Sequence, residues 1–155
     1  MPIRFEFVAQ SGRIFSDDVD MVIAPSADGV LGILPKHAPL MALIQPGEVV
    51  IKKAGSPDRF FSVAEGFIEV RPDKVVLLAR SGESAENIDA ARAEEARQRA
   101  EEWLAGHPKG AERREMMEAA LRRSITRLRI VQKRSATHTT AAHFRDNNNN
   151  NNNNR

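Results

Sequence analysis

The sequence predicts an α+β chain: an antiparallel β-sandwich or barrel, then an antiparallel hairpin of two helices, then a polar tail. Three observations carry this reading. Between Ile3 and Ala79, apolar residues recur in short runs, several with period two, separated by turn residues. Past Ser81 and Gly82 the apolar spacing changes to three and four, the helical period. From Ser135 the chain is polar, ending in Asp146, eight asparagines and Arg155. These changes divide it into residues 1–84, 85–134 and 135–155, the last expected to be disordered.

In the first segment Ile3, Phe5 and Phe7 alternate with Arg4 and Glu6, the pattern of a strand with one buried face. Further strands are expected at Arg13 to Phe15, Asp20 to Pro25, Val30 to Leu34, Leu40 to Ile44, Glu48 to Lys53, Arg59 to Ala64, Phe67 to Arg71 and Lys74 to Ala79. Gly55-Ser-Pro-Asp58, Glu65-Gly66 and Pro72-Asp73 supply reversals between them. Strands this closely spaced favour antiparallel pairing over an alternating βα arrangement. The most heavily punctuated stretch runs from Gly29 to Gly47. There Gly32 interrupts an apolar run, as at a bulge or close backbone approach, and Pro35 and Pro39 hold His37 in a segment that is not helical.

In the second segment Asn87 is the expected N-cap of a helix from Ile88 to about Ala105, ended by Gly106-His-Pro-Lys-Gly110. Ala93, Ala96, Ala100 and Trp103 share one face, a narrow stripe that admits a close neighbour. A second helix, about Ala111 to Lys133, presents Met117, Leu121, Ile125 and Leu128 on its apolar face. A linker of about five residues makes the pair antiparallel. Because the apolar stripe is thin, docking of the hairpin on the sandwich is expected to bury little and to be reversible.

Charge is local. The net charge is +2, but residues 1–84 carry 9 Lys+Arg against 11 Asp+Glu and residues 112–134 carry 8 against 3. A basic helix beside a mildly acidic domain points to an anionic partner for that helix. The chain has no cysteine, which removes disulfide and thiolate chemistry and fits a cytosolic setting. The Met1-Pro-Ile-Arg-Phe-Glu6 start lacks the form of a signal peptide, and no apolar run is long enough to span a bilayer. Membrane association is therefore expected only through partners. With no tyrosine, four scattered histidines and no phosphate-loop, zinc-protease or nucleophile-elbow string, no catalytic residue or metal site is expected. Asp17, Asp18 and Asp20 lack the remaining ligand positions of a calcium loop and read as a solvated turn. The reading of His37 is an imidazole bonded to the backbone of its own loop.

The string Gly29-x-x-Gly-Ile-Leu-Pro-x-His-Ala-Pro-Leu40, the following Leu43-x-x-Pro-Gly-Glu-Val49, the Val63-Ala-Glu-Gly-Phe-Ile-Glu-Val70 segment and Ile88-Asp-Ala-Ala-Arg-Ala93 together resemble the epsilon subunits of F-type ATP synthases. The resemblance covers residues 1 to about 134. It implies a ten-stranded sandwich docked on the central stalk against the gamma subunit, touching the c-ring through Val30, Leu34, Lys36 and His37. It implies a subunit with no catalysis of its own, peripheral on the cytoplasmic face of the cell membrane, coupling proton-driven rotation to ATP synthesis. The hairpin would inhibit ATP hydrolysis when extended against the alpha/beta hexamer. No cofactor is required, but ATP is implied as a regulatory ligand held by Glu83, Ile88, Asp89, Arg92, Ala93 and Arg99, with Arg122, Arg123 and Arg127 from the second helix. The competing reading of Asp89 and Arg92 is an ion pair within one helix, worth a few tenths of a kcal/mol, roughly, at an exposed site.

A different functional class is a free-standing sandwich that binds a ligand and carries a basic helix for nucleic acid. It is disfavoured because Arg113, Arg114, Arg122, Arg123, Arg127, Arg129, Lys133 and Arg134 wrap around the helix instead of lining one stripe. No nucleic-acid partner is therefore expected.

Overall fold

The alternation read at the N-terminus is realised in β1 (Ile3–Ala9), where Ile3, Phe5, Phe7 and Ala9 are buried and Arg4 is exposed. The structure, a computed structural model, describes residues 1–150, with side chains as far as His138. After β1 come β2 (Gly12–Val19), β3 (Met21–Ser26), β4 (Gly29–Ile33), β5 (Leu40–Ile44), β6 (Gly47–Lys52), β7 (Arg59–Val63), β8 (Gly66–Val70), β9 (Lys74–Ala79) and β10 (Gly82–Ser84). They form one ten-stranded sheet in the order β10-β7-β6-β3-β5-β8-β9-β1-β2, with β4 paired to β3 beside this path. The ends of the path, β10 and β2, touch, so the sheet folds into a sandwich that nearly closes as a barrel.

The pairs are antiparallel except β1 with β9, which run parallel. A parallel pair needs a long connection, and the seven strands between β1 and β9 provide it. β10 was not foreseen as a strand because Gly82-Glu-Ser84 has no apolar alternation; it is held by pairing with β7. Asp17 and Asp18 lie on β2, not in a turn. Asp17 pairs with Lys53 at 2.8 Å, and the Asp20 carboxylate accepts the Ala54 N–H at 2.6 Å. The Lys53 hydrogen bond, then the Asp18 N–H, holds the Asp17 carboxyl below its ordinary value.

The main core lies wholly within the sandwich, drawing buried side chains from Ile3 to Ala79. Phe7 meets Phe61 edge-on at 5.9 Å between ring centroids, and Phe15 meets Phe61 at 5.2 Å. A second, smaller cluster joins Val50, Phe60 and Ala85 of the sandwich side to Ile130.

A short 3-10 turn, Ala85–Asn87, leads to α1 (Ala90–Gly106). The helix is capped by Asp89, not Asn87, which belongs to the preceding turn. The Asp89 carboxylate accepts the Arg92 N–H at 3.1 Å, the bond an N-cap makes to an otherwise unpaired amide. Ala93 and Ala100 are buried, and α1 packs on α2 (Arg114–Asn150). Trp103 stacks on His107 at 3.8 Å where α1 ends.

α2 runs past the expected end at Lys133, since no glycine or proline follows Arg114 to stop it. The last five residues of the predicted tail, 151–155, lie outside the described residues. The apolar face of α2 also differs from expectation. Ile125 is 45% exposed, whereas Ile130 is fully buried and Ser124 nearly so. The reason is that α2 meets two neighbours, α1 and the sandwich, so one stripe does not describe its buried surface.

Candidate functional site

α2 lies across β6 and β7 and the 3-10 turn, and between it and the sandwich is a cleft of about 690 Å³. One wall is basic, formed by Arg122, Arg123, Arg127 and Arg129 of α2. The opposite wall comes from the sandwich, with Gln45, Ser62, Ser81 and Glu83 as its polar groups. Arg127 meets Glu83 at 3.2 Å. Among the described residues, Arg122, Arg123 and Arg129 have no ion pair, although several other arginines of the hairpin do. Arg97, for example, binds both Glu94 and Glu101, which stabilise its charged form, Glu94 first. Three unpaired guanidiniums on one cleft wall leave a local positive field, and their planar donors suit phosphate or carboxylate oxygens.

Four residues of the predicted ATP site therefore come together: Glu83, Arg122, Arg123 and Arg127. The other five do not line this cleft. Asp89 is engaged as the cap of α1, Ala93 is buried, and Ile88 packs beside the cluster around Ile130. Arg92 and Arg99 are exposed, Arg99 with Glu95 at 4.0 Å. Gln45, Ser62, Ser81 and Arg129 were missing from that set. The first three carry no local signal, because sheet pairing brings the β5-β6 corner, β7 and the β9-β10 turn to one edge.

Nearby, burial pushes the Glu86 carboxyl up, but the Ser84 hydroxyl, the backbone, Arg59 and Arg134 outweigh it and hold it below its ordinary 4.5. No group of histidine and carboxylate side chains suited to a metal occurs among the described residues.

The second candidate surface lies elsewhere on the sandwich. Val30 and Leu34 are exposed by 75% and 55%, on the same outward face of β4 and its continuation. Lys36 adopts a left-handed φ of 64°, held by a bond from its N–H to the Pro72 carbonyl at 2.9 Å. The His37 Nδ1 lies 2.7 Å from the Ala38 carbonyl, so the imidazole bonds its own loop. Sequence reading did not single out a further apolar row on the outer sheet face. Leu43, Phe67 and Leu78 are exposed and lie side by side in register on β5, β8 and β9, with Met41 beside them. Exposed apolar residues aligned across adjacent strands form a continuous patch, the usual mark of a contact surface.

Two family models match the chain: the beta-sandwich domain of the ATP synthase Delta/Epsilon chain over residues 2–85 and its long alpha-helix domain over residues 86–132. The ATP synthase epsilon chain of Dehalococcoides mccartyi is 44% identical over 132 residues, covering 85% of this chain and 94% of that one. That of Chloroflexus aggregans is 46% identical over 132 residues with the same coverage. In fold the chain is similar to one in the mitochondrial ATP synthase of Euglena gracilis, with a TM-score of 0.62, 18% identity and 87% and 80% of the two chains covered. A chain of the central stalk and c-ring structure from Tetrahymena thermophila gives a TM-score of 0.51 at 16% identity, covering 88% of this chain and 97% of that chain.

Proposed function

The chain belongs to the ATP synthase Delta/Epsilon family, as a non-catalytic stalk subunit of the epsilon type, and on that premise we propose that it couples rotation to synthesis through its sandwich and restrains ATP hydrolysis through its hairpin. The observation that carries the division is the placement of the cores. The main core closes within the sandwich, while among the described residues the hairpin contributes one buried side chain, Ile130, to the small second cluster. An element attached through so little apolar surface is free to leave at a cost of a few kcal/mol, roughly what one buried aliphatic side chain contributes.

On this reading the sandwich meets the gamma subunit and touches the c-ring, with Val30, Leu34, Lys36 and His37 as the c-ring contacts. The exposed apolar loop and the Leu43, Phe67 and Leu78 row support such contacts. Proton transport and the cytoplasmic face of the cell membrane follow from the complex; no helix among the described residues is long and apolar enough to cross a membrane. ATP is the regulatory ligand. The unpaired arginines of the cleft bind its phosphates, with Glu83 beside them, and the ligand bridges sandwich and α2 so that it favours the docked hairpin. In the extended state the same basic helix meets acidic surface on the alpha/beta hexamer.

The test is reconstitution of the synthase with a variant in which Arg122, Arg123, Arg127 and Arg129 are alanine. Relief of hydrolysis inhibition with stalk assembly intact supports the reading, and added salt should imitate it because exposed charge pairs are screened. Inhibition unchanged in the variant would mean that the helix does not act through these charges.

A further inference from the structure

The surface of α2 that meets the sandwich has an ordered pattern of charge around Ile130, its one buried apolar side chain among the described residues. Arg127, Ile130 and Arg134 lie three and four positions apart, hence on one helical face, with Lys133 three beyond Ile130. Ile130 enters the socket of Val50, Phe60 and Ala85. Around that socket each cation meets a different carboxylate. Arg127 faces Glu83 at 3.2 Å, Lys133 faces Glu48 at 2.8 Å, and Arg134 faces Glu86 at 4.0 Å. The three acids come from β10, β6 and the 3-10 turn. We infer that these pairs form a charge-coded latch that fixes the register in which α2 docks, with Glu48 and Lys133 as its principal bolt.

Glu48 is singled out by burial. Its side chain is only 13% exposed, less than any other carboxylate in the chain's ion pairs among the described residues. A carboxylate that deep is costly without a counter-charge, and its one ion-pair partner among the described residues is Lys133, 85 positions away. A helix slid by one turn would bring Thr126 or Arg127, or Lys133 or Arg134, to the place of Ile130, so the apolar socket already opposes the slide. Such a slide would also leave Glu48 without Lys133, so the pair reinforces the register set by Ile130 while adding little to the strength of docking. The latch is also incompletely satisfied. Among the described residues, the second oxygen of Glu48 and the Nε of Arg134 lack hydrogen-bond partners, and the Arg127 contact to Glu83 is not aligned as a hydrogen bond. Imperfect pairing keeps the docked state specific yet releasable.

This inference depends on the hairpin being the movable element proposed above, and the test separates the two. The full chain lacks cysteine, so two introduced cysteines, Ser56→Cys beside the sandwich and Met116→Cys on α2, carry a donor and acceptor dye without competing sites. Energy transfer then reads the ratio of docked to undocked hairpin in the isolated protein. Lys133→Glu and Glu48→Lys should each lower that ratio roughly tenfold or more, the scale for breaking one partly buried pair. The exchanged double variant, with both changes, should recover most of the loss. Ile130→Ala should undock the hairpin whether or not the latch is charge-coded. If Ile130→Ala undocks it but the single charge reversals do not, or the exchanged pair fails to recover, the latch is overturned and the movable hairpin stands. If no variant and no salt concentration changes the transfer, both fall.

Discussion

A Cβ built on Gly82 would lie 2.2 Å from the Cζ of Phe7. The first residue of the last strand is thus pressed against the ring at the middle of the core, and only glycine lets β10 close over it. At Gly66 the constraint is backbone, since a Cβ there would sit 2.0 Å from the Leu78 carbonyl oxygen. Gly82→Ala and Gly66→Ala should each destabilise the sandwich by about 1–3 kcal/mol, the usual cost of overpacking. Thermal unfolding followed in the far ultraviolet measures this, and Gly66→Ala should be the worse because backbone cannot rotate away.

Ile130 and Ile125 lie five residues apart on α2 but differ in burial, at 0% and 45% exposure. Ile130→Ala should loosen the hairpin by about 2–4 kcal/mol, whereas Ile125→Ala should change stability by under about 0.5 kcal/mol. Amide hydrogen exchange in α2 checks both. Equal effects would mean that the second cluster does not hold the helix.

The contrast also shows how far the sequence could be read. Period-two alternation at Ile3, Phe5 and Phe7 located β1 because a sheet with one buried face imposes it on its own residues. β10 escaped because its three residues owe their strand form to β7, a partner distant in sequence. For α2, spacing identified a helix but not which residues would be buried, since two neighbours share its surface. The arginines of the cleft were visible as a basic segment. Their neighbours Gln45, Ser62 and Ser81 were not, because sheet topology alone brings them there. Asp89 was read as an ATP-site residue, with an ion pair to Arg92 as the competing reading; in the structure its carboxylate bonds the Arg92 backbone amide at the helix start.

That bond separates two effects on ATP binding. Asp89→Ala should cost about 1 kcal/mol of helix stability through loss of the cap. Arg122→Ala should leave the fold unchanged and weaken ATP binding by about tenfold, the scale of one charge-assisted phosphate contact. Calorimetric titration with ATP, together with melting curves, distinguishes them. ATP affinity that is the same in Arg122→Ala as in the unaltered protein would remove the phosphate role of the cleft.

Acid should weaken the junction between sandwich and hairpin. The Glu86 carboxyl is held below its ordinary 4.5, so its contribution is fully present above that pH and is lost as pH falls through its lower folded value. Stability measured between about pH 6 and about pH 3 should fall less steeply at the acid end for Glu86→Gln than for the unaltered protein. Identical slopes would show that Glu86 titrates alike in the folded and unfolded chains.

The division of labour between sandwich and hairpin is tested most directly by residues 1–84, which contain the whole main core. Expressed alone and added to synthase lacking this subunit, the fragment should fold by circular dichroism and bind the stalk as the full chain does, while hydrolysis runs uninhibited. A fragment that is unfolded or fails to bind the stalk, or one that inhibits hydrolysis as strongly as the full chain, would contradict the account.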